Sequence, residues 1–245
     1  MPIYNTGHPI NVANLEKMIS FCTGYGGQYN PSNPLITIPN LTSKHTDSVA
    51  ELAKVNIALA PWKNAVNDRD GLFDPLSTLA TRILNAVQAS GASAEYIKDV
   101  KTITRKLQGK RATPLIKNDP NTPIDESQKN HSASQMTFDQ RIENLDKLID
   151  LLSTNPLYIP NEPDLQIATL TTLQNNMITA NTTYINVNTT LSNARIQRNV
   201  ILYDLTTGLV KLSEDVKKYV KSVFGARSDQ FRQINALKFT YPSKR

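Results

Sequence analysis

Residues Asn14-Leu15-Glu16-Lys17-Met18-Ile19 return, with conservative changes, as Asn144-Leu145-Asp146-Lys147-Leu148-Ile149. The displacement is 130 positions. Fifteen residues past Asn14 begins Tyr29-Asn30-Pro31-Ser32-Asn33-Pro34, which matches Tyr158-Ile159-Pro160-Asn161-Glu162-Pro163 at a displacement of 129. The same offset pairs Ile38 with Ile167, Leu41 with Leu170, Asn64-Ala65 with Asn193-Ala194, and Arg69 with Arg198. Beyond Leu72 it drifts toward 134, where Gly91-Ala92 meets Gly225-Ala226. A near-constant offset kept through a proline pattern is more than shared helical composition, and it reads as an internal duplication.

Each copy reads as four helices. The first carries Val12, Leu15, Met18, Ile19 and Cys22 in one half and Ile142, Leu145, Leu148, Ile149 and Leu152 in the other. Steps of three and four place each set on one face of a helix. The Tyr-x-Pro-x-x-Pro segment interrupts helix, because proline lacks an amide hydrogen and holds its predecessor extended. A long second helix follows, with a heptad seam through Leu170, Leu173, Met177, Ala180, Tyr184, Val187, Leu191 and Ala194. The first copy offers Val49, Leu52, Val55, Leu59 and Trp62 there, and Pro61 predicts a kink or break unless its neighbours compensate. The third and fourth helices present Leu76, Leu79, Ile83, Val87 and Ile97, Val100, Ile103, Leu107, answered by Leu209 to Val223 and by Phe231, Ile234, Leu237. Short glycine turns between them favour antiparallel neighbours. The expected architecture is all-α: two tandem-duplicated antiparallel bundles of about four helices each. Residues 1–112 form copy 1, 113–134 a linker rich in Pro, Asn and Ser, and 135–245 copy 2, with Thr137 as N-cap of its first helix.

Composition narrows the function. The 245 residues include 9 glycines and 7% aromatics, too few of either for Gly-rich nucleotide folds or sandwiches. Cys22 is the lone cysteine, so neither an internal disulfide nor a thiolate metal site can form from this chain. The N-terminus has no signal-peptide pattern and no run approaches the length of a membrane span, so a reducing, cytoplasmic setting is expected. His8, His45 and His131 are far apart in sequence, and neither HExxH, a phosphate-binding glycine loop nor a Gly-x-Ser-x-Gly elbow is present. No enzyme activity, cofactor or metal is expected.

Charge is uneven. Residues 98–117 hold seven Lys or Arg against Asp99, a balance of +6, and residues 211–245 hold nine against three acids, again +6, although the whole chain carries only +6. The candidate basic faces are Lys101, Arg105, Lys106, Lys110 and Arg111 in copy 1, and Lys217, Lys218 and Lys221 in copy 2. Such faces suit a polyanion or the acidic part of another copy, although cations near helix C-termini also simply complement the macrodipole. Arg69 and Arg198, at matched places near the ends of the long helices, are candidate bundle-end clamps. The function expected is a non-enzymatic structural or protein-interaction module that assembles with itself, as homo-oligomer or filament, or with another protein. The alternative is a basic nucleic-acid- or ribosome-binding protein, with no membrane span in either case.

The chain also resembles a family of bacterial proteins of about this length, to which no activity is assigned. The resemblance rests on residues 14–19 and 29–34, on Lys106-Leu107-Gln108-Gly109-Lys110-Arg111-Ala112-Thr113-Pro114, on residues 134–136, and on residues 216–225. It implies tandem helical bundles and adds no cofactor, partner or site residue.

Overall fold

The structure is a computed structural model that describes residues 7–110 and 136–242. Every regular element among them is helical: α1 (His8–Gly24), α2 (Ile38–Phe73), α3 (Leu76–Ala89), α4 (Ala94–Leu107), α5 (Phe138–Ser153), α6 (Ile167–Tyr203), α7 (Leu209–Phe224) and α8 (Asp229–Ala236), with short 3-10 turns after α1 and α5. The linker at 113–134 lies outside the described residues, as do Arg111 and His131.

Local signals account for the boundaries. Ser93, Thr137 and Ser228 cap α4, α5 and α8, each side chain accepting a bond from a backbone N–H three residues on. Gly91 and Gly225 take positive φ (79° and 88°) where the third helix of each half gives way to the fourth. In the proline crossings, Tyr29 Oη donates to the Ile36 carbonyl at 2.6 Å and Tyr158 Oη to the Leu165 carbonyl at 2.8 Å. Both crossings are thus tied by a buried tyrosine to the residue seven positions later. Along α6, Thr171, Thr172 and Thr179 bond back to carbonyls four residues earlier, which satisfies hydroxyls that favour helix poorly.

Two expectations about the long helices need correction. Pro61 does not interrupt α2, which continues through it to Phe73. Pro61 and Ile57, the residue whose carbonyl loses its partner, are both exposed, so water can replace the missing bond. The seam of α2 also does not follow Val49, which is 47% exposed. It runs through Leu41, Ser48, Ala58, Ala65, Arg69 and Phe73, all buried. Offset by 129, Leu41, Ser48 and Phe73 correspond to Leu170, Met177 and Leu202, which are buried as well.

The cores divide the chain differently from the two expected copies. One compact unit comprises Met1–Trp62 with Val187–Arg245, the other Lys63–Asn186. In unit 1, Val12, Leu15, Met18 and Cys22 of α1 and Leu41 of α2 share a core with Leu202, Leu209, Val216, Val220 and Ile234. In unit 2, Leu145, Leu148, Leu152, Leu170 and Met177 share one with Phe73, Leu76, Ile83, Val87, Val100 and Leu107. The expected division, with 1–112 and 135–245 each closing on itself, is therefore not the division of the cores. The reason lies in helix length. At about 1.5 Å per residue, the 36 residues of α2 rise about 54 Å, so its first turns and its last serve different cores.

Candidate functional site

The basic residues singled out in the sequence fall into separate units. In unit 2, Lys101 and Lys106 on α4 and Lys110 just past its end are exposed, and Arg105 on α4 is half-buried. On α7, in unit 1, the three lysines have unequal surroundings. Lys217 Nζ donates to the Leu237 carbonyl at 2.5 Å, just past the end of α8, and lies 5.4 Å from the Phe239 ring centre. Burial, and then Lys238, hold its pKa below the ordinary lysine value. It ties α7 to the C-terminal segment and is only partly available to an anion. Lys218 reaches Asp215 at 3.3 Å, where Lys211 also pairs, and Lys221 lies 5.8 Å from the Phe231 ring centre. Counted by unit, the imbalance is one-sided. Unit 1 holds 14 Lys or Arg against 7 Asp or Glu, a balance of +7; unit 2 holds 13 against 14, a balance of −1.

The matched arginines also diverge. Arg69 is 8% exposed, its guanidinium stacked between Phe138 at 3.7 Å and Tyr184 at 3.5 Å from the ring centres. Its Nε has no hydrogen-bond partner. Arg198 is half-buried, donates to its neighbour Asn199 at 3.1 and 2.8 Å, and has its pKa lowered by burial. The residues corresponding to Phe138 and Tyr184 are His8 and Val55, so the two-ring stack has no counterpart in unit 1. There His8 Nδ1 lies 2.6 Å from Tyr203 Oη. Burial, with Arg198 adding to it, lowers the His8 pKa and favours the neutral ring. Cys22 is fully buried and its thiol is pushed up to about 12 by that burial, which leaves it a packing residue rather than a nucleophile.

A feature that was not singled out in the sequence lies in unit 2. An open groove of about 550 Å³ runs between α3 and the second proline crossing. Arg82, Asn85, Ala86 and Ala89 line one side, and Leu157, Tyr158, Ile159, Pro160 and Glu162 the other. Leu157 is 52% exposed and Ile159 80%. Arg82 makes a two-pronged ion pair with Asp164 at its rim, which holds that carboxyl below the usual range. The signal that finds this groove is a comparison of the halves: α3 and α7 align at an offset of 133, which sets Ala86 against Tyr219. Among the described residues, no group of three or more His, Cys, Asp or Glu could hold a metal, and no helix is long and apolar enough to cross a membrane.

No protein-family model matches the chain, and neither a curated protein nor a solved structure matches it significantly.

Proposed function

We propose that the chain is a non-enzymatic structural or protein-interaction module. It derives from an internal duplication whose two copies exchange helices to build two units, and it associates with itself or with a protein partner. The paired burial at offset 129 and the twin tyrosine bonds of the proline crossings support the duplication. The lone buried thiol fits a reducing compartment.

The observation that carries the interaction reading is exposed apolar surface. Ile196 and Val200, one turn apart on α6, are 54% and 52% exposed, and Ile57 and Leu205 exceed 70% in the same unit. Single exposed apolar residues are ordinary. Neighbouring ones on a stable helix mark a surface that gains by being covered.

A second reading, polyanion or nucleic-acid binding through unit 1, is favoured by its balance of +7. One experiment separates the two. Light scattering of the full chain over a range of concentrations, with and without a short DNA duplex and at low and high salt, reads both. Self-association predicts a mass that rises with concentration, persists in salt and falls in the Ile196→Asp/Val200→Asp variant. Polyanion binding predicts a complex with DNA that dissolves as salt rises. A monomer that binds no DNA under any condition contradicts self-association and polyanion binding alike.

A further inference from the structure

The two proline crossings share their backbone path but not their surroundings. In unit 1 the ring of Tyr219, on α7, meets Tyr29 edge-on with centres 5.3 Å apart and planes at 87°. Its hydroxyl accepts the Asn30 N–H at 3.1 Å. Pro31 beside it is buried. In unit 2 the position of Tyr219 is taken by Ala86, Tyr158 stands where Tyr29 does, and Pro160, matching Pro31, is half-exposed. By alignment, the groove lies where a tyrosine stands in the other unit. Two further differences act in the same direction. Gln28 and Asn30, both polar, are replaced by Leu157 and Ile159, so the unfilled crossing has apolar flanks while the filled one has polar ones. A passive loss of the tyrosine would favour polar flanks, since large apolar side chains in water beside a cavity are costly.

We propose that this groove binds a tyrosine side chain presented by a partner polypeptide. The ring lies edge-on to Tyr158, the geometry aromatic pairs favour, with Leu157 and Ile159 along its sides. The hydroxyl lies toward the polar rim that Arg82, Asn85 and Glu162 provide. A tyrosine fits this mixture better than a purely apolar residue, because the groove is polar along one edge and apolar along the other. The proposal deepens the interaction reading above by naming the chemistry of the partner. Its test uses signals from the full chain that do not require self-association, so the two ideas fail separately.

The probes are two capped tripeptides, acetyl-Gly-Tyr-Gly-amide and acetyl-Gly-Leu-Gly-amide, titrated into the isotope-labelled full chain and followed by amide NMR shifts. The tyrosine peptide is expected to move the amides of Ala86, Tyr158 and Ile159 saturably, and the leucine peptide to bind several-fold more weakly. Ala86→Tyr supplies the missing ring from within, and is expected to weaken binding about tenfold or more while the melting temperature holds or rises. Should that variant melt early, Ile159→Asn, which restores the polar residue of the other crossing, gives a second reading with the same expected direction. Tyr219→Ala is expected to create a new saturable site around Tyr29. Absence of saturable shifts at the groove, equal binding of both peptides, or undiminished binding in Ala86→Tyr and Ile159→Asn overturns the proposal.

Discussion

The Nε of Arg69 is buried without a hydrogen bond and meets Asp70 Oδ1 only at 4.0 Å, so two aromatic rings carry much of what holds this cation in place. A desolvated cation–π contact contributes up to about 2 kcal/mol, and truncating a packed side chain adds a cavity cost. Arg69→Ala is therefore expected to lower stability by about 2–3 kcal/mol. Arg198→Ala, at the matched position but half-exposed and bonded to its neighbour Asn199, is expected to stay within about 0.5 kcal/mol. Urea unfolding of the two variants side by side measures the difference, and equal losses would mean that the rings do not hold Arg69. The sequence aligns these arginines at an offset of 129. Their inequality depends on His8 and Val55 standing where Phe138 and Tyr184 do, which matters only once the partners across the core are known.

At the scale of elements, the drift in repeat offset has a definite location. Two residues, Asp74 and Pro75, connect α2 to α3, whereas residues 204–208 connect α6 to α7. The longer link is closed by Asp204, whose carboxylate accepts four bonds, from the hydroxyls and amides of Thr206 and Thr207. Those bonds, the Thr206 hydroxyl foremost, hold its pKa well below the usual carboxylate range. Gly208 ends the turn, and a Cβ there would stand 2.4 Å from the Asp204 carbonyl oxygen. Gly208→Ala is therefore expected to destabilise by about 2–4 kcal/mol, because backbone must move to relieve the contact. A thermal melt followed by circular dichroism checks this, and an unchanged midpoint would mean that the turn runs elsewhere. Helix faces, the proline crossings and the glycine reversals were legible in the sequence, since each is a local signal. The seam of α2 was not. It buries Ser48, Ala58 and Ala65, small residues that a search for large apolar side chains passes over.

For the molecule as a whole, the pairing of halves was hidden for a physical reason. The apolar faces of α1 and α5 are alike in sequence, and so are those of α3 and α7. Periodicity shows which faces are buried but is neutral about which copy supplies the cover. The choice falls to α2 and α6, which run unbroken for 36 and 37 residues and carry each half of the chain from one core to the other. The groove was hidden for a related reason, because Ala86, Leu157 and Ile159 carry no chemistry alone and gain meaning only beside Tyr219, Gln28 and Asn30. The central claim, that each compact unit needs elements from both halves, has a direct measurement. A protease site introduced between residues 120 and 125 is cut under native conditions, and the product is passed through gel filtration with light scattering. The two fragments are expected to elute together at the mass of the uncut protein and to separate only in denaturant. Release of two folded fragments of about half that mass would contradict the claim.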